Sequence, residues 1–226
     1  MAEQFYINFI KDDRWMYLVQ GLKTTIIVAL FAVLLGVALG FTVGMIRSTH
    51  DKTGKLKVAN FICNIYLTII RGTPVLLQLL IIYFVVFASV NVDKVIVAII
   101  AFGINSGAYV AEIIRSGIMA VDQGQMEAGR SLGFSYRQTM IHFIMPQAFK
   151  NVLPALGNEF IVLLKETSVA GYIALQDLTK GADIIRSQTY SPFMPLMGAA
   201  IIYLVMVMIL SYFVKRLEKR LRKNER

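Results

Sequence analysis

Glu159 is the residue whose type sits least easily among its neighbours. With Asn158 it falls near the middle of an apolar run only fourteen residues long, between Lys150 and Lys165. An ionisable side chain at the centre of a membrane helix costs at least ~2.5–3.5 kcal/mol, so its presence marks a functional candidate. A run that short extends about 21 Å as helix, less than the ~30 Å hydrocarbon core. It suits the lining of a polar cavity better than a lipid-facing surface. The chemistry on offer is binding: a carboxylate to meet a cationic group of a solute. Asn105 and Tyr109, one helical turn apart on another apolar segment, and Asn158 would contribute hydrogen bonds. Thr73, between Gly72 and Pro74, sits where local helix disruption frees backbone groups. Two other readings stand beside this one: Glu159 paired with a buried arginine such as Arg71, or Asn158 bridging helices.

Nothing in the chain points to catalysis. The acidic residues are dispersed, with no carboxylate cluster and no Ser/His/Asp grouping. His50 and His142 lack companions, and Cys63 is the single cysteine, so no metal site and no internal disulfide is expected. No G-x-x-x-x-G-K-[ST] phosphate loop is present; Gly54-Lys55-Leu56 lacks both the upstream glycine and the hydroxyl residue. The chain therefore has no evident means of holding ATP.

The elements that must position these residues are membrane helices. Of 226 residues, 57% are hydrophobic and 16% charged, against about 45–50% and 25% in a soluble domain. The excess gathers into Leu22–Ile46, Ile65–Ala88, Val95–Ala111, Phe149–Leu164 and Leu196–Val214. These predict an all-α membrane protein with five transmembrane helices in one domain over residues 1–226. Glycines 36, 40 and 44 form two overlapping G-x-x-x-G steps, repeated at 103 and 107. They allow close helix contact, either within one subunit or between subunits. The polar segment Gln176–Pro195 has room for a short amphipathic helix.

Lysine and arginine set the orientation, since they concentrate on the cytoplasmic side. Fifteen fall in the first loop, the third loop and the tail after Val214, against seven on the opposite side. The N-terminus is therefore expected outside and the C-terminus in the cytoplasm. The basic tail directly follows a span and is read as meeting anionic lipid headgroups, with no call for nucleic acid.

A membrane protein reverses direction in a few residues, yet the third loop, about residues 112–147, is long and patterned. Glu112–Leu132 is compatible with one helix, stopped by Gly133. Ser135 with Gln138 forms a capping box for the next, and Pro146 is expected to end it. Glu127-Ala128-Gly129 sets small residues beside an acidic one; a local Glu127–Arg130 pair is the plainer alternative.

At these residues the chain resembles the permease subunits of binding-protein-dependent ABC importers, whose cytoplasmic signature is E-A-A, three residues, G, nine residues, I-x-L-P. Here it reads Glu127-Ala128-Gly129, Gly133, then Phe143-Ile144-Met145-Pro146. Gly21-Leu22-Lys23-Thr24-Thr25, Arg71-Gly72-Thr73-Pro74, Ala108-Tyr109-Val110-Ala111-Glu112, Gly157-Asn158-Glu159-Phe160 and Lys165-Glu166-Thr167-Ser168 resemble recurring segments of the polar amino acid branch. The resemblance implies a type I importer permease fold in a bacterial inner membrane. It implies coupling through Glu127, Ala128, Gly129, Arg130 and Gly133 to a pair of ATPase subunits that bind ATP and magnesium. It further implies a second permease subunit, identical or homologous, and an extracytoplasmic binding protein that delivers an amino acid. A non-ABC carrier or channel subunit is the competing class, and it would leave the patterned loop unexplained.

Overall fold

The computed structural model describes residues 2–223, and among these every regular element is helical. A short N-terminal helix α1 (Ala2–Phe5) leads to α2 (Trp15–Thr53), α3 (Lys57–Gly72), α4 (Val75–Ile81) and α5 (Lys94–Met119). The chain continues with α6 (Gln123–Ser131), α7 (Tyr136–Thr139), α8 (Met145–Glu166), α9 (Leu178–Thr189) and α10 (Phe193–Lys223). By length and apolarity, α2, α5 and α10 can each cross a membrane. Residues Lys57–Gly72 and Val75–Val86 do so only as a pair, bent by 108° at the break between them. The expected fourth span is α8, whose apolar character is diluted by Lys150, Asn151, Asn158 and Glu159.

The centre of the bundle is the packing of α2 on α5. Small residues Gly36, Gly40, Gly44, Ala29 and Ala32 face inward, while Leu30, Leu34 and Phe41 face out. Helices in lipid gain little from apolar burial, so close backbone approach through small residues drives their packing. A Cβ on Gly40 would stand 2.5 Å from Val110 Cγ1 and 2.8 Å from the Ala111 amide nitrogen. The glycine stripe therefore packs within the subunit, the first of its two readings.

Four groups of buried side chains hold the rest, one of them Leu67 of α3 against Ala108 and Ala111 of α5. Val28, Leu79, Phe102 and Leu163 join α2, α4, α5 and α8. Ile114, Ile118, Ile144 and Ala148 fasten the adjoining ends of α5 and α8 to the loop between them. Leu18, Leu178, Ile185 and Ala199 seat α9 against α2 and α10. The amphipathic helix expected in Gln176–Pro195 is α9, whose N-cap Asp177 accepts from Thr179 N at 3.1 Å and Lys180 N at 3.0 Å.

Two boundaries in the patterned loop differ from expectation. Glu112–Leu132 is two helices, not one. α5 stops at Met119, and Asp122 opens α6 as its N-cap by accepting from Gly124 N at 2.7 Å. An Asp side chain that satisfies a free amide favours starting afresh over continuing. Pro146 does not end a helix; it lies in the first turn of α8. The preceding turn, Met140–Ile144, is widened to π spacing, with Met145 N bonding Met140 O. That widening, with Pro146 in a first turn, accommodates a residue without an N–H and with a bulky ring.

Candidate functional site

The break between α3 and α4 is where polar chemistry begins. Thr73 is extended (φ −125°, ψ 148°), as the residue before a proline must be. Helix ends leave carbonyls free, and here the Gln78 side chain collects them. Its Nε2 donates to Ile70 O at 2.7 Å and Thr73 O at 3.0 Å, with Thr73 Oγ1 at 2.8 Å. Two carbonyls can only accept, so the orientation of this amide is fixed and Oε1 faces the other way. There it accepts from Asn105 Nδ2 at 2.9 Å. Asn105 in turn must point its amide nitrogen at Gln78, which leaves its buried Oδ1 without a donor. One amide sets the next.

Next to Asn105 on α5, Ser106 Oγ donates to Glu159 Oε1 of α8 at 2.8 Å, and both side chains are buried. Adjacent helical residues point about 100° apart, so α5 carries polar contacts on two faces, toward α4 and toward α8. The candidate residues divide accordingly. Thr73 and Asn105 are joined through Gln78, and Glu159 lies on the neighbouring face. Asn158 is exposed on α8, away from both. Tyr109 lies one turn from Asn105, with the Arg71 guanidinium 5.7 Å from its ring centroid. Arg71 is not the partner of Glu159; its acidic neighbour is Glu112, 3.7 Å away.

Glu112 is the hub of a charge cluster. It accepts from Arg47 of α2, and its Oε2 accepts from Arg115 Nε at 3.2 Å, the boundary ion pair their spacing suggests. Arg115 also donates to Asp51 Oδ2 at 3.1 Å. The cluster ties α2, α3 and α5 together beside the patterned loop. A cleft of about 370 Å³ adjoins it, lined by Asp51, Lys52, Glu127, Arg130 and Tyr136 among others. Burial pushes the Tyr136 phenol up from its ordinary value.

The loop itself is a rigid corner. Gly133 (φ +86°) takes the left-handed conformation that closes α6. Gly133 N bonds Arg130 O at 3.0 Å and Phe134 N bonds Gly129 O at 3.1 Å, the paired bonds of a Schellman motif. Ser135 and Gln138 then cap α7 reciprocally, at 2.9 and 3.3 Å. The Phe134 and Phe143 rings meet edge-on at 5.3 Å. Gly129 is buried, and a Cβ there would meet Thr139 Cγ2 at 2.5 Å. Its small size thus serves packing inside the corner. Arg130 donates to Phe134 O at 3.3 Å, and among the described residues Glu127 has no ion-pair partner. Glu127, Ala128 and Arg130 are exposed, as is Leu132 at 75%.

Residues 36–223 match the family model of the binding-protein-dependent transport system inner membrane component. The chain belongs to this family. It is 36% identical over 211 residues to the arginine transport system permease protein ArtQ of Bacillus subtilis (strain 168), covering 92% of this chain and 94% of that one. It is 32% identical over 208 residues to the glutamine transport system permease protein GlnP of Escherichia coli (strain K12), covering 91% and 93%. A crystal structure of an amino acid ABC transporter with histidines matches with TM-score 0.83 at 43% identity, over 90% of this chain and 94% of that one.

For a permease of this family, three contributors escaped the sequence reading. Gln78 was hidden as one amide in the apolar run Val75–Ile81, with nothing to announce the carbonyls it collects. Arg47 read only as an orienting charge. Leu132 read as the end of a helix, although a large apolar residue directly before a stop glycine in a polar loop was a usable signal.

Proposed function

We propose that this chain is the membrane-spanning subunit of an ATP-driven amino acid importer. The observation that carries the proposal is the corner at Glu127–Gly133: capped at both ends, fastened to α5 and α8, and exposing Glu127, Ala128, Arg130 and Leu132. A rigid polar corner with an unburied leucine is suited to seating in another protein. Its partner on this reading is one of a pair of ATPase subunits, which hold ATP and magnesium. Closure of that pair moves the corner, and with it α5 and α8, so that the path opens alternately to each side. Coupling of this kind needs a two-state element biased from both ends.

The topology that fits has five spans, with α3 and α4 together as the second and α8 as the fourth. The N-terminus lies outside and the C-terminus in the cytoplasm of a bacterial inner membrane. A second permease subunit completes the path and an extracytoplasmic binding protein delivers the solute. Amino acids are the solute class because close relatives carry arginine and glutamine in their names. Glu159, with Ser106 and Asn105 beside it, would meet the solute's amino or cationic group. Asn158 contributes from the exposed face of α8, and Tyr109 and Thr73 line the same stretch.

The test is uptake of radiolabelled arginine and glutamine into vesicles holding the reconstituted complex. Uptake should require ATP, and Glu159→Gln should raise the half-saturating concentration about tenfold or more, the scale of a charge-assisted hydrogen bond. Uptake that persists without any ATPase subunit overturns the importer reading. Unchanged affinity and rate in Glu159→Gln removes Glu159 from the site.

A further inference from the structure

We infer that Arg71 binds the carboxylate of the transported solute, because the charge cluster around Glu112 leaves this one guanidinium over. The inference rests on the importer reading above and adds the residue that meets the acidic end of the solute. Three guanidinium groups, Arg47, Arg71 and Arg115, face two carboxylates, Glu112 and Asp51. One positive charge is uncompensated, and the geometry says which. Arg47 and Arg115 both hydrogen-bond Glu112, and Arg115 reaches Asp51 as well. Arg71 Nη1 stops 3.7 Å from Glu112 Oε1, beyond hydrogen-bond reach. Among the described residues it donates no hydrogen bond at all. Its side chain is also the most exposed of the three, 46% against 18% for Arg47 and 30% for Arg115.

Arg71 is nonetheless held in place. Its guanidinium lies over the Tyr109 ring at 5.7 Å, a contact that steadies the plane without using the N–H donors at its edge. A planar fork with free donors is the group that takes a carboxylate bidentately. One turn along the same face of α5, Asn105 Oδ1 is an acceptor fixed in orientation by Gln78 and lacking a donor. An unpaired cationic fork held at Tyr109 and an unpaired acceptor at Asn105, one turn before it on α5, complement the carboxylate and ammonium of a zwitterion. Were Arg71 present only to neutralise Glu112, it would duplicate two arginines that already do so at shorter range.

The experiment uses the assembled permease–ATPase complex in nanodiscs, without binding protein, so that only the membrane site is read. Binding of L-arginine and L-glutamine is compared with L-argininamide and L-glutaminamide, in which the carboxylate is replaced by an amide. In the wild type the acids should bind roughly ten- to a hundredfold more tightly than their amides, the scale of charge-assisted hydrogen bonds. In Arg71→Gln that ratio should fall close to one. A purely structural Arg71 would weaken acid and amide alike and leave the ratio unmoved, which overturns the inference. Should Arg71→Gln fail to assemble, Arg71→Lys is read the same way: the charge stays, the fork is lost, and the ratio should fall part of the way. An unchanged ratio there overturns the inference equally. A wild type that takes up both amino acids with ATP in the vesicle assay yet binds acid and amide equally in nanodiscs refutes Arg71 alone. A wild type that, in vesicles with its binding protein and ATP, takes up no amino acid refutes the importer reading.

Discussion

A single amide repairs the chain break made by Pro74 and then sets the orientation of a residue on the next helix. Gln78 takes up two carbonyls at the end of α3 and presents its own oxygen to Asn105. Replacing Gln78 with leucine keeps much of the volume but leaves the Asn105 amide unpaired in a buried setting and the two carbonyls at the part-buried break without their donor. Each orphaned group costs about 1–3 kcal/mol, so Gln78→Leu should lower the thermal midpoint of the detergent-purified protein by several degrees. Gln78→Glu separates the two duties: it keeps an acceptor for Asn105 and loses the donors to the break. An unchanged midpoint in Gln78→Leu would show that the bend holds itself. At this scale the sequence was legible where one polar residue stood out against an apolar run, as Glu159 and Asn105 do. It was not legible where the partner is a backbone carbonyl, because a carbonyl freed by a proline has no letter of its own. Asn158 and Glu159 stand side by side in the sequence yet part in the fold, Glu159 turning inward and Asn158 outward, because adjacent positions on a helix cannot share a face.

The elements are joined by steric fit more than by polar contacts. The repeat of glycine every fourth residue in α2 could be read from the sequence, but a G-x-x-x-G stripe carries no information on which helix fills it. The filler is α5, and the fit leaves little slack. A side chain at Gly40 would run into Val110 Cβ at 2.6 Å and the Ala111 amide nitrogen at 2.8 Å. The second of these is backbone and cannot rotate away. Gly40→Val should therefore force α2 and α5 apart, with a cost of about 1–3 kcal/mol or more from overpacking. The loss is read as a lower thermal midpoint and increased protease sensitivity in detergent. Wild-type stability in Gly40→Val would mean that α2 meets α5 differently from this arrangement. Element boundaries were harder to foresee than element partners were to miss. The stop at Met119 is made by the N-cap Asp122 in a stretch without proline or conspicuous turn chemistry, and Pro146 is absorbed by a π turn that no local pattern advertises.

At the scale of the whole molecule, packed helices connect an exposed corner to the buried polar contacts between α5 and α8. Buried side chains such as Ile118 and Ile144 fasten the corner to α5 and α8, while the Arg115–Asp51 pair links α5 to α2. Rigid connection is useful only if the corner is gripped, and Leu132 is the side chain best placed for gripping. It is 75% exposed, lies directly before the left-handed Gly133, and has no packing duty inside the corner that its removal would upset. Within an interface, truncating a buried apolar anchor costs about 1–3 kcal/mol or more, and a charge in its place costs further because it must be desolvated. Leu132→Asp should thus weaken co-purification of the ATPase subunits at least about tenfold. The thermal midpoint of the isolated permease should stay unchanged, because the side chain is solvent-exposed there. Gly133→Ala makes the complementary case. A residue with a Cβ at φ +86° strains the turn by roughly 1 kcal/mol, so it should loosen the corner and lower both stability and ATPase capture. If Leu132→Asp retained full capture while Gly133→Ala lost it, the corner's shape would matter and its leucine would not, and the contact would have to be sought at Glu127 and Arg130.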